Sequence, residues 1–462
     1  MKLFACPKYF SEAIALVTNL SCFLGLRIFE YPRGHPRSIL SIIYSLFMFS
    51  IYYSGTSNME ETFYSNIRLM KLEYVLYNIL RYVHVLSVIL NMLLGWWHTK
   101  KFKACHKKIF EIDETLRQLG LSGSYDSIYF MTIGMIIVWI TASFILSTVA
   151  FIHLRIRTDI CTAVFIILCS TYSLTVNSIY IFEFYLFVRC FRIKFKLINR
   201  LLCENLTNLS TNKIRLGIFE LKNYAKIMDA EQQKHSFFST MIFRRRRRLQ
   251  FRINVSELKK QDQVVSQIES HFPSQFKNQF QSKFKNQSQR YNPLITKCPE
   301  RKHLLQIIKQ VHLELCKVSK IVCTILGVQV AWEIGSIILY LSGAFYNLFI
   351  RYVMHQYKVK GFPAQTILTL SMSLLCIFKI VCVSRICKNA VNEGNRTIEI
   401  IHAIYGCNAD TDMQKEIQQF SIQILQSPIT FSVFGLTLDH RVLTTVCIKL
   451  LYIKRCYCIS DI

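Results

Sequence analysis

Six long apolar runs, at about residues 38–55, 72–97, 129–151, 160–188, 321–350 and 364–383, limit what this 462-residue chain can fold into more than any other feature. A helix rises 1.5 Å per residue, so about 20 apolar residues cross the ~30 Å of hydrocarbon in a bilayer, and each run is near that length. Inside lipid the backbone finds no water to bond, and a helix satisfies its N–H and C=O groups within one segment. With 52% hydrophobic and 13% aromatic residues and a mean hydropathy of +0.28, the chain is too apolar for a soluble protein. It reads as a polytopic membrane protein.

A seventh run is shorter. Phe431 opens a mixed segment, Asp439-His440-Arg441 breaks it, and the helix-compatible stretch from Val442 soon meets Lys449. That stretch spans less than roughly 20 Å as a helix, so it is a spanning segment that stops early. The fold class expected is therefore all-α: a seven-transmembrane-helix bundle with a cytosolic N-terminus and a helical cytosolic anchor region.

Charge sets the orientation. The 56 Lys and Arg residues against 28 Asp and Glu give a net charge of +28. In a membrane chain such an excess belongs to cytoplasmic loops facing anionic lipid, not to nucleic acid. The loops 56–71, 152–159 and 351–362 are poorer in basic residues than the alternate ones, which carry Lys100, Lys101, Lys103, Lys107 and Lys108, then Arg189, Arg192, Lys194, Lys196 and Arg200. The positive-inside rule places the N-terminus in the cytosol and, if the last run crosses, the C-terminus outside, opposite to a G-protein-coupled receptor. The sequons at Asn19, Asn205, Asn208, Asn254, Asn286 and Asn395 then fall inside the cell and are chance matches. Many of the 17 cysteines lie within apolar runs, among them Cys161, Cys169, Cys323, Cys376 and Cys382, where a thiol acts as a small hydrophobe.

The organisation follows from these runs. Residues 1–37 form a cytosolic N-terminal segment in which Ala13, Leu16, Val17, Leu20, Phe23 and Leu24 recur at helical spacing, as in an amphipathic helix on a membrane surface and unlike a cleaved signal peptide. Residues 38–188 carry spans 1–4, 189–320 a long cytosolic connection, 321–383 spans 5–6, 384–441 a cytosolic helical segment, and 442–462 the incomplete last span and tail. Within the connection, 191–228 and 301–320 read as helices extending spans 4 and 5. Between them lie Arg244 to Arg248 and a Gln, Ser, Asn and Lys-rich tract that repeats Phe-Lys-Asn-Gln at Phe276 and Phe284. Residues 244–293 bury too little apolar surface to offset the entropy of ordering them and are predicted to be disordered. An inserted stretch, such as translated intron, is preferred there over a polybasic clamp on anionic lipid or a nuclear-localisation patch.

No enzyme is expected, because the chain has no Gly-rich phosphate loop, no His-Glu-x-x-His and no Gly-x-Ser-x-Gly elbow. No cofactor is implied. His98, Cys105 and His106 sit in a lysine-rich stretch without the paired spacing of a zinc site, so no metal is implied either. Ionisable residues inside the spans say more, since each is costly in hydrocarbon unless it faces a partner or cavity. Arg81 and His84 lie in span 2, Glu183 in span 4, Glu333 in span 5 and Lys379 in span 6. Arg81 and Glu333 are the deepest and are expected to pair, whereas Glu183 and Lys379 are placed to reach toward the headgroups. Tyr77, Trp139, Tyr172, Ser173, Tyr340 and Ser373 offer aromatic and hydroxyl surface for a small ligand, although each alone also suits packing.

The end of the chain, through Phe431, Gly435, Leu436, Leu438, Asp439 and Leu443, resembles the insect gustatory receptor family, relatives of the insect odorant receptors. The likeness extends to Leu-Ser-Cys-Phe-Leu-Gly-Leu-Arg at 20–27, to His312-x-x-Leu315-Cys316, and to the segments 389–404 and 413–426 with Gln-Gln-Phe-Ser-Ile-Gln at 418–423. The resemblance implies a homo- or hetero-tetrameric ligand-gated cation channel in the plasma membrane of sensory neurons, contacting membrane lipid and opened by a small-molecule tastant. Four last helices would surround the pore, with a constriction near Leu443, Thr444 and Thr445, and the tastant would sit between spans 2 to 6. Residues 453–461 depart from the Thr-Tyr and Gln-Phe ending of that family, so a frameshifted or alternatively spliced end is expected, and with it the alternative of a non-conducting subunit. A G-protein-coupled receptor would need an outside N-terminus, and a secondary transporter inverted repeats and broken spans, which the sequence does not display.

Overall fold

The structure, a computed structural model, describes residues 7–28, 37–64, 71–121, 123–155, 159–210, 298–353, 362–407, 411–433 and 436–438. Two short helices, α1 (Phe10–Ala13) and α2 (Ala15–Phe23), lead into α3 (Ser38–Tyr64), α4 (Lys71–Gln118), α5 (Asp126–Arg155) and α6 (Ile160–Ser210). Then follow α7 (Cys298–Val353), α8 (Phe362–Cys407), α9 (Thr411–Gln426) and a two-residue hairpin, β1 (Ser432–Val433) antiparallel to β2 (Leu436–Thr437). The six apolar runs each lie within one of α3 to α8, all long and apolar enough to cross a membrane. The chain is a nearly all-helical, multi-pass membrane protein. Of the seventh run, the opening segment from Phe431 forms that hairpin, and the helix-compatible stretch from Val442, with Leu443, Thr444 and Thr445, lies outside the described residues.

Two compact units divide the chain, one of Met1–Leu202 with Leu305–Ile462 and one of Cys203–Leu304. In the second, only the helical stretches 203–210 and 298–304 are described, so the Arg244–Arg248 run and the tract to Pro293 lie outside the described residues.

Helix burial separates centre from periphery in the first unit. None of the most apolar stretch of α5 is buried within the protein, and Ile137, Val138, Ile140 and Phe144 lie open on it, surface suited to hydrocarbon. By contrast, 61% of the corresponding stretch of α7 is buried, which makes α7 a central helix. Beyond the spans, the same helices continue as one bundle. Asn199 on α6 donates to the Glu393 carbonyl at 2.8 Å and accepts from Thr397 Oγ1 at 2.7 Å on α8. Lys309 on α7 pairs with Glu416 on α9 at 3.6 Å, and the His312 ring meets Phe420 edge-on.

The N-terminal segment sets one side of its apolar pattern against the bundle. Ala13, Val17 and Leu24 are buried together with Phe10 and Ile14, and Phe10 lies among His106, Tyr125 and Phe187, whereas Leu16 and Phe23 of the same pattern are exposed. A membrane surface and a bundle flank ask for the same 3.6-residue periodicity, so the pattern alone does not choose between them.

Candidate functional site

The segment after α2 runs into the bundle as a strap. Gly25 stands at φ +75 and ends α2: its N–H reaches the Cys22 carbonyl at 3.0 Å and the Leu26 N–H the Ser21 carbonyl at 3.0 Å. This Schellman arrangement requires a left-handed residue, which glycine supplies without steric cost. The turn delivers Arg27 to Glu183, whose oxygens accept from Arg27 Nη2 at 2.5 Å and Ser21 Oγ at 2.8 Å. The Arg27 guanidinium lies 3.3 Å from the Phe102 ring centroid, and both charged side chains are buried. Strap carbonyls take further hydroxyls: Tyr44 at Phe23, Tyr172 at Leu24 and Ser45 at Gly25. Glu183 therefore does not reach for headgroups, because an arginine outside every span reaches it first.

A second charged cluster lies within the spans. Lys379 on α8 pairs with Glu333 on α7 at 3.4 Å, both at about a tenth exposure. The Lys379 ammonium stands 5.0 Å from the Trp139 ring centroid on α5, and His84 on α4 lies within electrostatic reach of both charges. Trp139 also donates to Thr175 Oγ1 on α6 at 3.3 Å. The cation that the described contacts bring to Glu333 is Lys379, where the sequence suggested Arg81; the guanidinium of Arg81 lies 5.1 Å from the ring of its neighbour Tyr82. Lys379 likewise turns inward to its partner instead of outward. Depth along a run missed Lys379 as a partner for Glu333, since what decides is which helix faces which.

The expected ligand residues separate. Trp139 belongs to the charged cluster. Tyr172 lies tilted against Tyr52, ring centroids 5.6 Å apart, and its hydroxyl serves the strap, while Ser173 is buried beside Tyr52. Ser373 is buried on α8 with its hydroxyl on the Thr369 carbonyl, and Tyr340 is half-buried on α7. The side chain of Tyr77 lies outside the described residues. Buried polar residues that sequence reasoning passed over bridge α4 and α6: the Asn177 Oδ1 accepts from Ser87 at 2.7 Å and Asn91 at 2.8 Å. Their signal was available, since an amide within an apolar run needs a partner just as a charge does.

An open cleft of about 240 Å³ lies elsewhere, lined by Lys8, Asp113, Arg117, Ser124, Tyr125 and Lys194 among others, and none of the six expected ligand residues lines it. Lys194 and the Tyr125 hydroxyl, the latter at 2.5 Å, both bond Asp113. Burial pushes the Tyr125 phenol far above its ordinary value, so it stays a donor to that carboxylate. Among the described residues no group of His, Cys, Asp and Glu is placed to hold a metal ion. Cys169, Cys323 and Cys376 are buried free thiols.

No curated protein matches the chain. Among solved structures, the insect olfactory receptor OR5 from Machilis hrabei in complex with eugenol is similar, with a TM-score of 0.52 at 10% sequence identity. That alignment covers 96% of this chain and 97% of that one, and at so low an identity it establishes the fold. The profile of the 7tm chemosensory receptor family matches residues 9–250 and 262–450, two blocks that take in every helix described above. On that match the chain belongs to the 7tm chemosensory receptor family.

Proposed function

We propose that the protein is a subunit of a tetrameric ligand-gated cation channel in the plasma membrane of sensory neurons, opened by a small tastant. The observation that carries the reading is the family match over nearly the whole chain, and the solved relative in complex with eugenol supports a small organic ligand. The ligand site we assign to the region of Trp139, with Tyr77, Tyr172, Ser173, Tyr340 and Ser373 as the wider candidate set. Glu333 is held there by Lys379, with Arg81 as a further cation to share it. The pore constriction falls to Leu443, Thr444 and Thr445 by their position in the family pattern.

The mechanism is a population shift. A tastant that binds the open arrangement better moves the closed-to-open equilibrium by its differential affinity, about 1.4 kcal/mol for each tenfold ratio. Expression in a heterologous cell with calcium imaging against sugars and bitter alkaloids tests it. A response that needs external calcium and survives block of G proteins is expected, and Trp139→Ala should raise the half-maximal concentration roughly tenfold, ~1.4 kcal/mol. A response that persists without external calcium would argue for G-protein coupling. Silence of the chain alone, with a response restored by a related subunit, would mark it as non-conducting.

A further inference from the structure

We propose that one face of α4, formed by Lys100, Lys101 and Lys107 beside Trp97, is a binding surface for a polyphosphorylated anionic lipid headgroup, a property separate from tastant gating. The face begins where the apolar part of the helix ends: Leu93 is 55% exposed and Trp97 79% exposed, an aromatic side chain of the kind that marks a membrane–water interface. From His98 to Phe110 the helix has five lysines and no Asp or Glu. Lys108 is taken by Glu314 at 3.5 Å. Lys100 and Lys101 are exposed, and Lys107 makes an exposed contact with Glu111 at 4.0 Å, which screening leaves weak.

Helical geometry decides the kind of anion. Positions 97, 100, 101 and 107 share one face, since 100° per residue brings them within about 120° of arc. Lys100 and Lys107 are separated by roughly 10 Å along the axis, starting about 4–6 Å beyond Trp97, which is the depth of the headgroup layer. A single phosphate in that layer meets one or two of these ammoniums. A headgroup with several phosphates spans all three, and charge complementarity therefore favours a phosphoinositide over a mono-anionic lipid.

The test uses the full chain, purified in detergent, with short-chain phosphatidylinositol bisphosphate, phosphatidylserine and phosphatidylcholine as probes, bound lipid being counted by native mass spectrometry. Each lysine near a membrane surface strengthens anionic binding roughly fivefold, so K100Q, K101Q and K107Q together should weaken the bisphosphate about a hundredfold and leave phosphatidylcholine unchanged. Lys→Arg at the same positions should retain binding, and high salt should weaken it. The single variants, about fivefold each, carry the test if the triple variant fails to accumulate. Unchanged bisphosphate affinity in the variants overturns the proposal. So does an equal loss in a control that neutralises Lys196, Arg200 and Lys388, or phosphatidylserine binding as tight as the bisphosphate. The readout needs no channel activity, so a failed taste response and a failed lipid site are told apart.

Discussion

Glu183 has no exposed surface, and its two carboxylate oxygens are taken by Ser21 and Arg27. Removing either charge leaves the other buried without a partner, at a cost of about 3–5 kcal/mol, whereas replacing both by apolar side chains of similar volume removes the desolvation penalty with the attraction. Arg27→Met and Glu183→Met should each lower the thermal midpoint of the purified protein sharply, and the double variant should be milder than either. Strict additivity of the two losses would show that the pair does not couple. The pair was half legible in the sequence. An acid in an apolar run announces a need for a partner, but Arg27 follows a short helix outside every run, 156 positions away, and only the Gly25 turn brings it in. Reasoning from depth likewise left Lys379 out as a partner of Glu333, because periodicity within one segment says nothing of the rotation of the helix that faces it.

Non-helical segments seat on the long helices at positions that have no side chain, Gly95, Gly327 and Gly394. A Cβ built on Gly95 of α4 would collide with the Leu26 carbonyl oxygen of the strap and lie 2.6 Å from the Tyr180 hydroxyl. Backbone cannot give way as a flexible side chain can, so Gly95→Ala should displace the strap. It should cost well above the ~1 kcal/mol that alanine gains over glycine in a helix. Gly134 of α5 has nothing within 4 Å of the same position, and Gly134→Ala should be neutral or slightly stabilising. Thermal unfolding of the two variants checks both signs, and equal behaviour would mean that the strap does not seat on α4. At this scale the sequence was most readable, because length and apolar content, which define a span, are local. Residues Gly327 and Gly394 were not readable. Their notches receive Val433, at 2.5 Å from a built Cβ, and Ile429, contacts that exist only once the segment after α9 has folded back.

Across the whole molecule, contacts gather the basic residues at one end of the bundle. Phe10 of α1 meets His106 of α4 and Phe187 of α6, Lys108 of α4 pairs with Glu314 of α7, and Asn199 of α6 bonds α8. That end therefore collects Lys100 to Lys108, Arg189 to Arg200, Lys309, Lys317 and Lys388. Loop counts assign these connections to the cytosol as an expectation, and in the structure they share one end with α1. Basic residues are retained on the cytoplasmic side during insertion, so one orientation is favoured for all of the spans together and not helix by helix. An epitope placed before Met1 should be reached by antibody only after cells are permeabilised, and one inserted at 156–158 should be reached on intact cells. The reverse pattern would put the lysine-rich end outside. It would remove the anionic leaflet from the α4 face, and it would leave the N-terminal strap on the extracellular side.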